Sequence, residues 1–171
     1  MTMTMRGLAA LLSVLALAGC GDDETPVTPS TPPPPPAITN WSGTYANSQL
    51  WLVAFERTSD GWRSSYTCPG TMTISQGAQS GSDAPLTGFV VVNQPCPPDT
   101  FDFTGRVSAD GSMTLTTDGP RPQGCPAKTT TYSGQFTGRQ LSARGLTSID
   151  CSGETVGTHR FDYVITAFRN N

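Results

Sequence analysis

Five cysteines and one histidine are the residues of this chain best suited to covalent or metal chemistry. The cysteines are Cys20, Cys68, Cys96, Cys125 and Cys151. None are spaced Cys-X-X-Cys, which argues against a zinc ribbon and against a redox-exchange pair. His159 lies near Asp150 and Ser152, so a Ser-His-Asp triad can be drawn on paper. A serine hydrolase of that kind holds its nucleophile on a Gly-X-Ser-X-Gly elbow, and the sequence has none. His159 therefore reads as a solvated loop histidine. Asp102 and Asp162 could pair as general acid and base, but both fall on the polar side of alternating segments, where carboxylates face solvent. With the cysteines paired, one histidine leaves only carboxylates for a metal, so neither metal nor cofactor is expected. No Gly-rich loop opens a helix, so nucleotide binding has no support.

The composition narrows the field further. Only 13% of the 171 residues are charged, against about a quarter in ordinary soluble chains. The net charge is −3 and no basic block exists, so a nucleic-acid partner is not expected. The length fits one domain.

Arg6 is the only charge before Asp22, and Gly7 to Leu17 is a short run of small and apolar residues. That run is too short for a bilayer span, which takes about 20 residues. A basic start, a short apolar core and small residues at its end make a secretory signal. Leu17-Ala18-Gly19-Cys20 resembles the lipobox of bacterial lipoproteins. The resemblance implies a signal peptide over residues 1–19, cleavage before Cys20 and a lipid on its sulfur. It further implies a cell-envelope address, lipid-anchored, with the outer membrane or periplasmic face favoured. Residues 20–39 hold the lipidated Cys and a Pro/Thr-rich stretch with the run Pro32 to Pro36. Such a stretch has little to bury and reads as an extended tether.

Residues 40–171 must position whatever the cysteines and aromatics do. Helix signals are nearly absent there, and period-two alternation recurs. Met72 and Ile74 alternate with threonines, as do Met113 and Leu115. Phe161, Tyr163, Ile165 and Ala167 oppose Asp162 and Thr166. Eight strands are predicted, at about 41–55, 71–76, 87–92, 101–107, 112–117, 129–137, 140–147 and 160–168. Ala109-Asp110-Gly111 and Gly138-Arg139 read as tight hairpin turns. Sequential hairpins favour a meander, and eight antiparallel strands can close into an up-and-down barrel without edges. A β-sandwich is the alternative. Asn40-Trp41-Ser42-Gly43-Thr44-Tyr45 at the start of this layout resembles the opening of lipocalin-like barrels, whose fold implies a small apolar ligand inside.

With Cys20 lipidated, four cysteines remain, an even number that in an exported domain implies disulfides. In a meander, alternate connections lie at one end. The predicted strands put Cys68, Cys96, Cys125 and Cys151 in the first, third, fifth and seventh connections, all at that end, in the long loops. Cys68 and Cys96 bracket strands two and three, and Cys125 and Cys151 bracket strands six and seven. The expected pairs are Cys68–Cys96 and Cys125–Cys151, with cross-pairing at the same end as the alternative. A break in strand one near Asn47-Ser48 would change this parity.

The disulfide end would face away from the tether. Trp62 and Tyr66 fall in the first long loop at that end, placed to touch an apolar ligand or a partner, or to cap the barrel. Trp41, Tyr45, Trp51 and Phe55 read as core. An eight-stranded barrel can be filled by side chains or hold one small ligand. The expected function is non-enzymatic: binding of a small apolar molecule in a membrane-anchored barrel. The alternative is a filled, rigid barrel whose braced loops bind a protein or envelope polymer. A monomer is the expected state.

Overall fold

The computed structural model describes residues 32–119, 124–152 and 157–171. The signal segment, Cys20 and most of the tether lie outside the described residues. Residues Pro34–Asn171 form one compact unit.

Eight antiparallel strands follow one another around a closed barrel. They are β1 (Gly43–Arg57), β2 (Arg63–Gln76), β3 (Asp83–Val92), β4 (Asp99–Ser108), β5 (Ser112–Thr117), β6 (Thr130–Thr137), β7 (Gln140–Cys151) and β8 (Gly157–Arg169). β1 pairs with both β2 and β8, so the ring is complete and the sandwich alternative does not apply.

The alternation seen in the sequence is the alternation of the wall. Met113 and Leu115 are buried inside while Ser112 and Thr114 are exposed. Two hairpin turns use glycine with positive φ, Gly111 at 85° and Gly138 at 58°, the conformation that a tight turn demands and that glycine adopts without a Cβ clash.

Strand two corrects the sequence reading. It starts at Arg63, not near residue 71, so Tyr66 and Cys68 lie in a strand and the first connection is a tight turn over 58–62. Arg63-Ser64-Ser65-Tyr66-Thr67 lacks an apolar alternation of its own and takes its order from β1. Tyr66 pairs with Val53, Ser64 with Phe55 and Arg63 with Glu56. Pro69, which reads as a breaker, faces the one irregular stretch of β1, where the register shifts between Asn47 and Trp51. A bulge needs no donor from the proline. β1 bends at this bulge without breaking. Gly70 opposite gives Leu50 room: a Cβ there would sit 2.8 Å from Leu50 Cδ2.

The barrel interior is packed with rings set against glycines. Gly88 is paired with Phe103, and Gly145 with Tyr132. A Cβ on Gly88 would lie 2.6 Å from Phe103 Cζ, and one on Gly145 would lie 2.8 Å from Tyr132 Cδ1. Large against small is how a narrow barrel reaches interior packing density.

The tight-turn end is closed by the entering chain. Trp41 stacks on Phe136 with ring centroids 4.7 Å apart. Tyr45 donates its hydroxyl to Trp41 O at 2.9 Å. Gln79, in the β2–β3 turn, clamps the segment before the barrel, accepting from Ile38 N and donating to Pro36 O. The Arg169 guanidinium donates to Asn40 O and Ser42 O.

Candidate functional site

The end opposite Trp41 carries the disulfides. Cys68 is bonded to Cys96, and Cys125 to Cys151. These are the pairs expected from strand order, although Cys68 sits within β2 and Cys151 at the last position of β7. The first bridge ties β2 to the β3–β4 connection, and the second ties β7 to the β5–β6 connection. Cys125 and Cys151 close a loop of separation 26, and Cys68 and Cys96 one of 28. Both disulfides fit an oxidising, non-cytoplasmic compartment.

Below this end lies a column of rings. Trp51 meets Phe101, Tyr132 and Tyr163 edge-on, at centroid distances of 5.2, 5.4 and 6.4 Å. Tyr163 stacks on Phe161 at 5.6 Å, and Phe161 lies 5.6 Å from Phe55. Phe55 in turn touches Trp62 at 5.4 Å and Tyr66 at 6.4 Å. Trp51, Tyr45, Tyr132 and Tyr163 are fully buried. Burial raises the phenol pKa of Tyr132 and Tyr163, and raises Tyr66 as well. Tyr66 adds to the shift of Tyr163, and Tyr163 to that of Tyr132, so the three phenols lie within electrostatic reach of one another.

At the rim the column meets solvent. Trp62 is 47% exposed and Tyr66 37%. Trp62 sits in the β1–β2 turn, where its N–H bonds Asp60 Oδ1 at 3.0 Å and its carbonyl accepts from Arg57 N at 2.8 Å. The Arg57 guanidinium carbon lies 5.3 Å from the Trp62 ring, a cation–π distance. A cleft of about 150 Å³ opens beside Tyr66, between Cys68, Val92, Cys96 and the Pro97-Pro98 pair.

His159 corrects the sequence reading. It is not a solvated loop residue: it lies in β8 and is 1% exposed. It faces the interior in phase with Phe161, Tyr163 and Ile165, and this period-two signal extends back to it in the sequence. Its Nδ1 lies 3.0 Å from Gly157 O, and its Nε2 is buried with no hydrogen-bond partner. Its cross-strand partner is Arg57, whose Nε is also buried without a partner. Sequence reasoning passed over Arg57, which continues the inward phase of Trp51, Val53 and Phe55.

The other chemical candidates stay apart. Asp150 faces outward and accepts from Thr158 Oγ1 at 2.5 Å, so the barrel wall separates it from the inward His159. Ser152 Oγ lies 3.5 Å from Gly124 O. Asp162 is held by Arg144 through two bonds of 2.7 and 2.6 Å on the outer wall, while Asp102 stands on β4, far around the ring. Among the described residues, no three His, Cys, Asp or Glu side chains converge on a metal position.

Much of the outer wall is polar, with Thr104, Thr114, Ser142 and Arg144 exposed, but Leu52, Phe89, Leu146 and Phe168 are exposed on it too. Leu146 at 68% exposure borders a shallow outer groove of about 440 Å³ with Ala54, Arg63, Arg160 and Asp162. Comparison with protein-family models, curated proteins and solved structures finds no match to this chain.

Proposed function

We propose that this protein is a non-enzymatic, lipid-anchored component of a bacterial cell envelope. In this reading Cys20 carries the lipid, and the barrel presents its disulfide-braced end to an envelope protein or polymer. The observation that carries the reading is the filled interior. Trp51, Tyr132 and Tyr163 occupy the space where a barrel carrier holds its ligand. Pockets for small molecules usually have about 300 Å³ or more, and the cleft at the rim has about half that. The compact unit begins at Pro34, and Gln79 of the β2–β3 turn binds Pro36 O, so the chain enters the barrel at the tight-turn end rather than at the disulfide end. The exposed Trp62 and Tyr66 stand at that end and supply apolar contact area.

Two measurements test this together. Native mass spectrometry of the gently purified protein should give the mass of the protein and its lipid alone. A photo-crosslinking residue at Trp62 should capture envelope material that the same residue at Gly138, at the other end, does not. A small molecule bound one to one and shed on mild activation would overturn the reading in favour of a carrier. Equal capture from both ends would also overturn it.

A further inference from the structure

The rim holds two buried nitrogens that lack partners. They belong to Arg57 and His159, which face each other across the β1–β8 seam. Direct cross-strand neighbours have Cβ atoms about 4.5–5.5 Å apart, so one small group can address both side chains. Each nitrogen left unpaired when buried carries an uncompensated desolvation penalty.

Their chemistry is complementary. The Nδ1 of His159 lies 3.0 Å from the Gly157 carbonyl, which can only accept, so Nδ1 bears a proton, and the tautomer this selects places the acceptor lone pair at Nε2. The Nε of Arg57 is a donor only. One acceptor beside one donor is the complement of a hydroxyl, which can donate to His159 and accept from Arg57 with its single oxygen. A carboxylate offers acceptors alone and would leave Nε2 unsatisfied.

The surroundings fit a ligand that is rich in hydroxyls yet has flat apolar faces. Trp62 covers the Arg57 guanidinium and is half exposed, Phe55 stands edge-on to Trp62, and Tyr66 stands edge-on to Phe55. The electron-rich face of an aromatic ring attracts the weakly positive C–H edge of a saturated ring. The cleft by Tyr66, Pro97 and Pro98 continues this rim along β2.

We propose that the disulfide-braced rim is a carbohydrate-binding site, in which a sugar ring stacks on Trp62 and one hydroxyl bridges Arg57 Nε and His159 Nε2. The inference rests on the presentation reading above and names the chemical class of the polymer. Reaching the buried pair requires Trp62 to swing off Arg57, so binding should change the emission of Trp62. Trp51 is fully buried and Trp41 stacks on Phe136 at the far end, so a Trp62→Phe variant assigns the signal.

The test titrates the oxidised full chain, in detergent micelles, with glucose, N-acetylglucosamine and their β-linked trimers. Trp62 emission and the ring ¹⁵N shifts of His159 are read together. The expected result is millimolar binding of a monosaccharide, tighter binding of its trimer, and a shift at His159 Nε2 larger than at Nδ1. Arg57→Lys, which keeps the charge but removes Nε–H, and His159→Phe, which keeps the ring packing, should each weaken binding about tenfold. Both variants are checked first by thermal unfolding, so that loss of binding is read only on folded protein. Phenylacetate serves as the anionic comparison. If every saccharide leaves His159 and Trp62 unchanged at tens of millimolar, the proposal is overturned. If phenylacetate shifts both and the sugars do not, the rim binds an anion and the proposal is equally overturned. If the sugars are silent while capture from Trp62 persists, this inference falls and the presentation reading stands.

Discussion

Replacing Trp51 by alanine is the sharpest test of a filled barrel. The indole is fully buried and meets three rings edge-on. Truncating a buried tryptophan costs about 3–5 kcal/mol when the surroundings cannot collapse. Here a closed wall of eight strands resists collapse, which favours the upper part of that range. One term works the other way. The indole N–H is buried without an acceptor, and removing such a group returns about 1–3 kcal/mol. The net loss should be about 1–4 kcal/mol, a fall of roughly 10 °C in Tm at the middle of that range for a barrel of this size. Trp51→Phe keeps most of the ring contacts and discards the unpaired N–H, so it should cost under about 1.5 kcal/mol. The assay is urea unfolding of oxidised protein, read by circular dichroism, with m held constant across the series. The Ala variant should also gain affinity for benzene or indole, because an apolar cavity stays dry and accepts such guests. A loss below about 1 kcal/mol for Trp51→Ala, or wild-type protein that binds indole equally well, would refute the packing argument and reopen the carrier reading.

Removing Cys68 and Cys96 together by alanine substitution should cost about 3–4 kcal/mol by the chain-entropy relation for a separation of 28, measured by urea unfolding. The buried tyrosines set an alkaline limit. Tyr132, Tyr163 and Tyr66 have pKa values raised by burial, so above the ordinary phenol value near 10 the unfolded chain releases protons that the barrel retains. Stability should therefore be flat up to about pH 10 and then fall by about 1.4 kcal/mol per pH unit for each of the fully buried Tyr132 and Tyr163. Unfolding should coincide with the 295 nm absorbance of the buried phenolates, and ionisation of Tyr132 or Tyr163 in the intact barrel before it unfolds would contradict the burial.

Strands four to eight were legible because their inward residues alternate mostly with polar ones, broken on the outer face only by Leu146, Val164 and Phe168. Phe161 to Ala167 is the clearest run, and the structure places all four of its apolar residues inside. The first half of β2 was not legible. Its order comes from β1, a partner distant in no local signal, and Pro69 reads as a stop unless the bulge opposite it is known. The tight-turn and disulfide ends were legible because parity survives an error in one strand boundary: Cys68 moved from loop to strand without changing ends. The rim was legible only in part. Trp62 and Tyr66 stand out as aromatics, whereas Arg57 and His159 look like surface residues until β1 and β8 are laid side by side. Only tertiary pairing puts their orphan nitrogens together.

The seam between β1 and β8 also governs how the barrel comes into being. Thr58 and Thr158 bond across it at a separation of 100 residues, while every other strand meets its immediate neighbour in sequence. Closure is thus a single step of high contact order added to a series of local ones. β2 and β3 can bring Cys68 to Cys96 as soon as the first third of the barrel exists, and β6 and β7 do the same for the second bridge. Until the 13 residues of β8 arrive, however, the sheet has two raw edges, and one of them is the apolar strand Leu50–Phe55. A chain that becomes available N-terminus first stays in this open state until β8 is in place, exposed to edge-to-edge association. Its early disulfide then acts as a register pin, holding the half-made sheet in alignment for the strand that completes it.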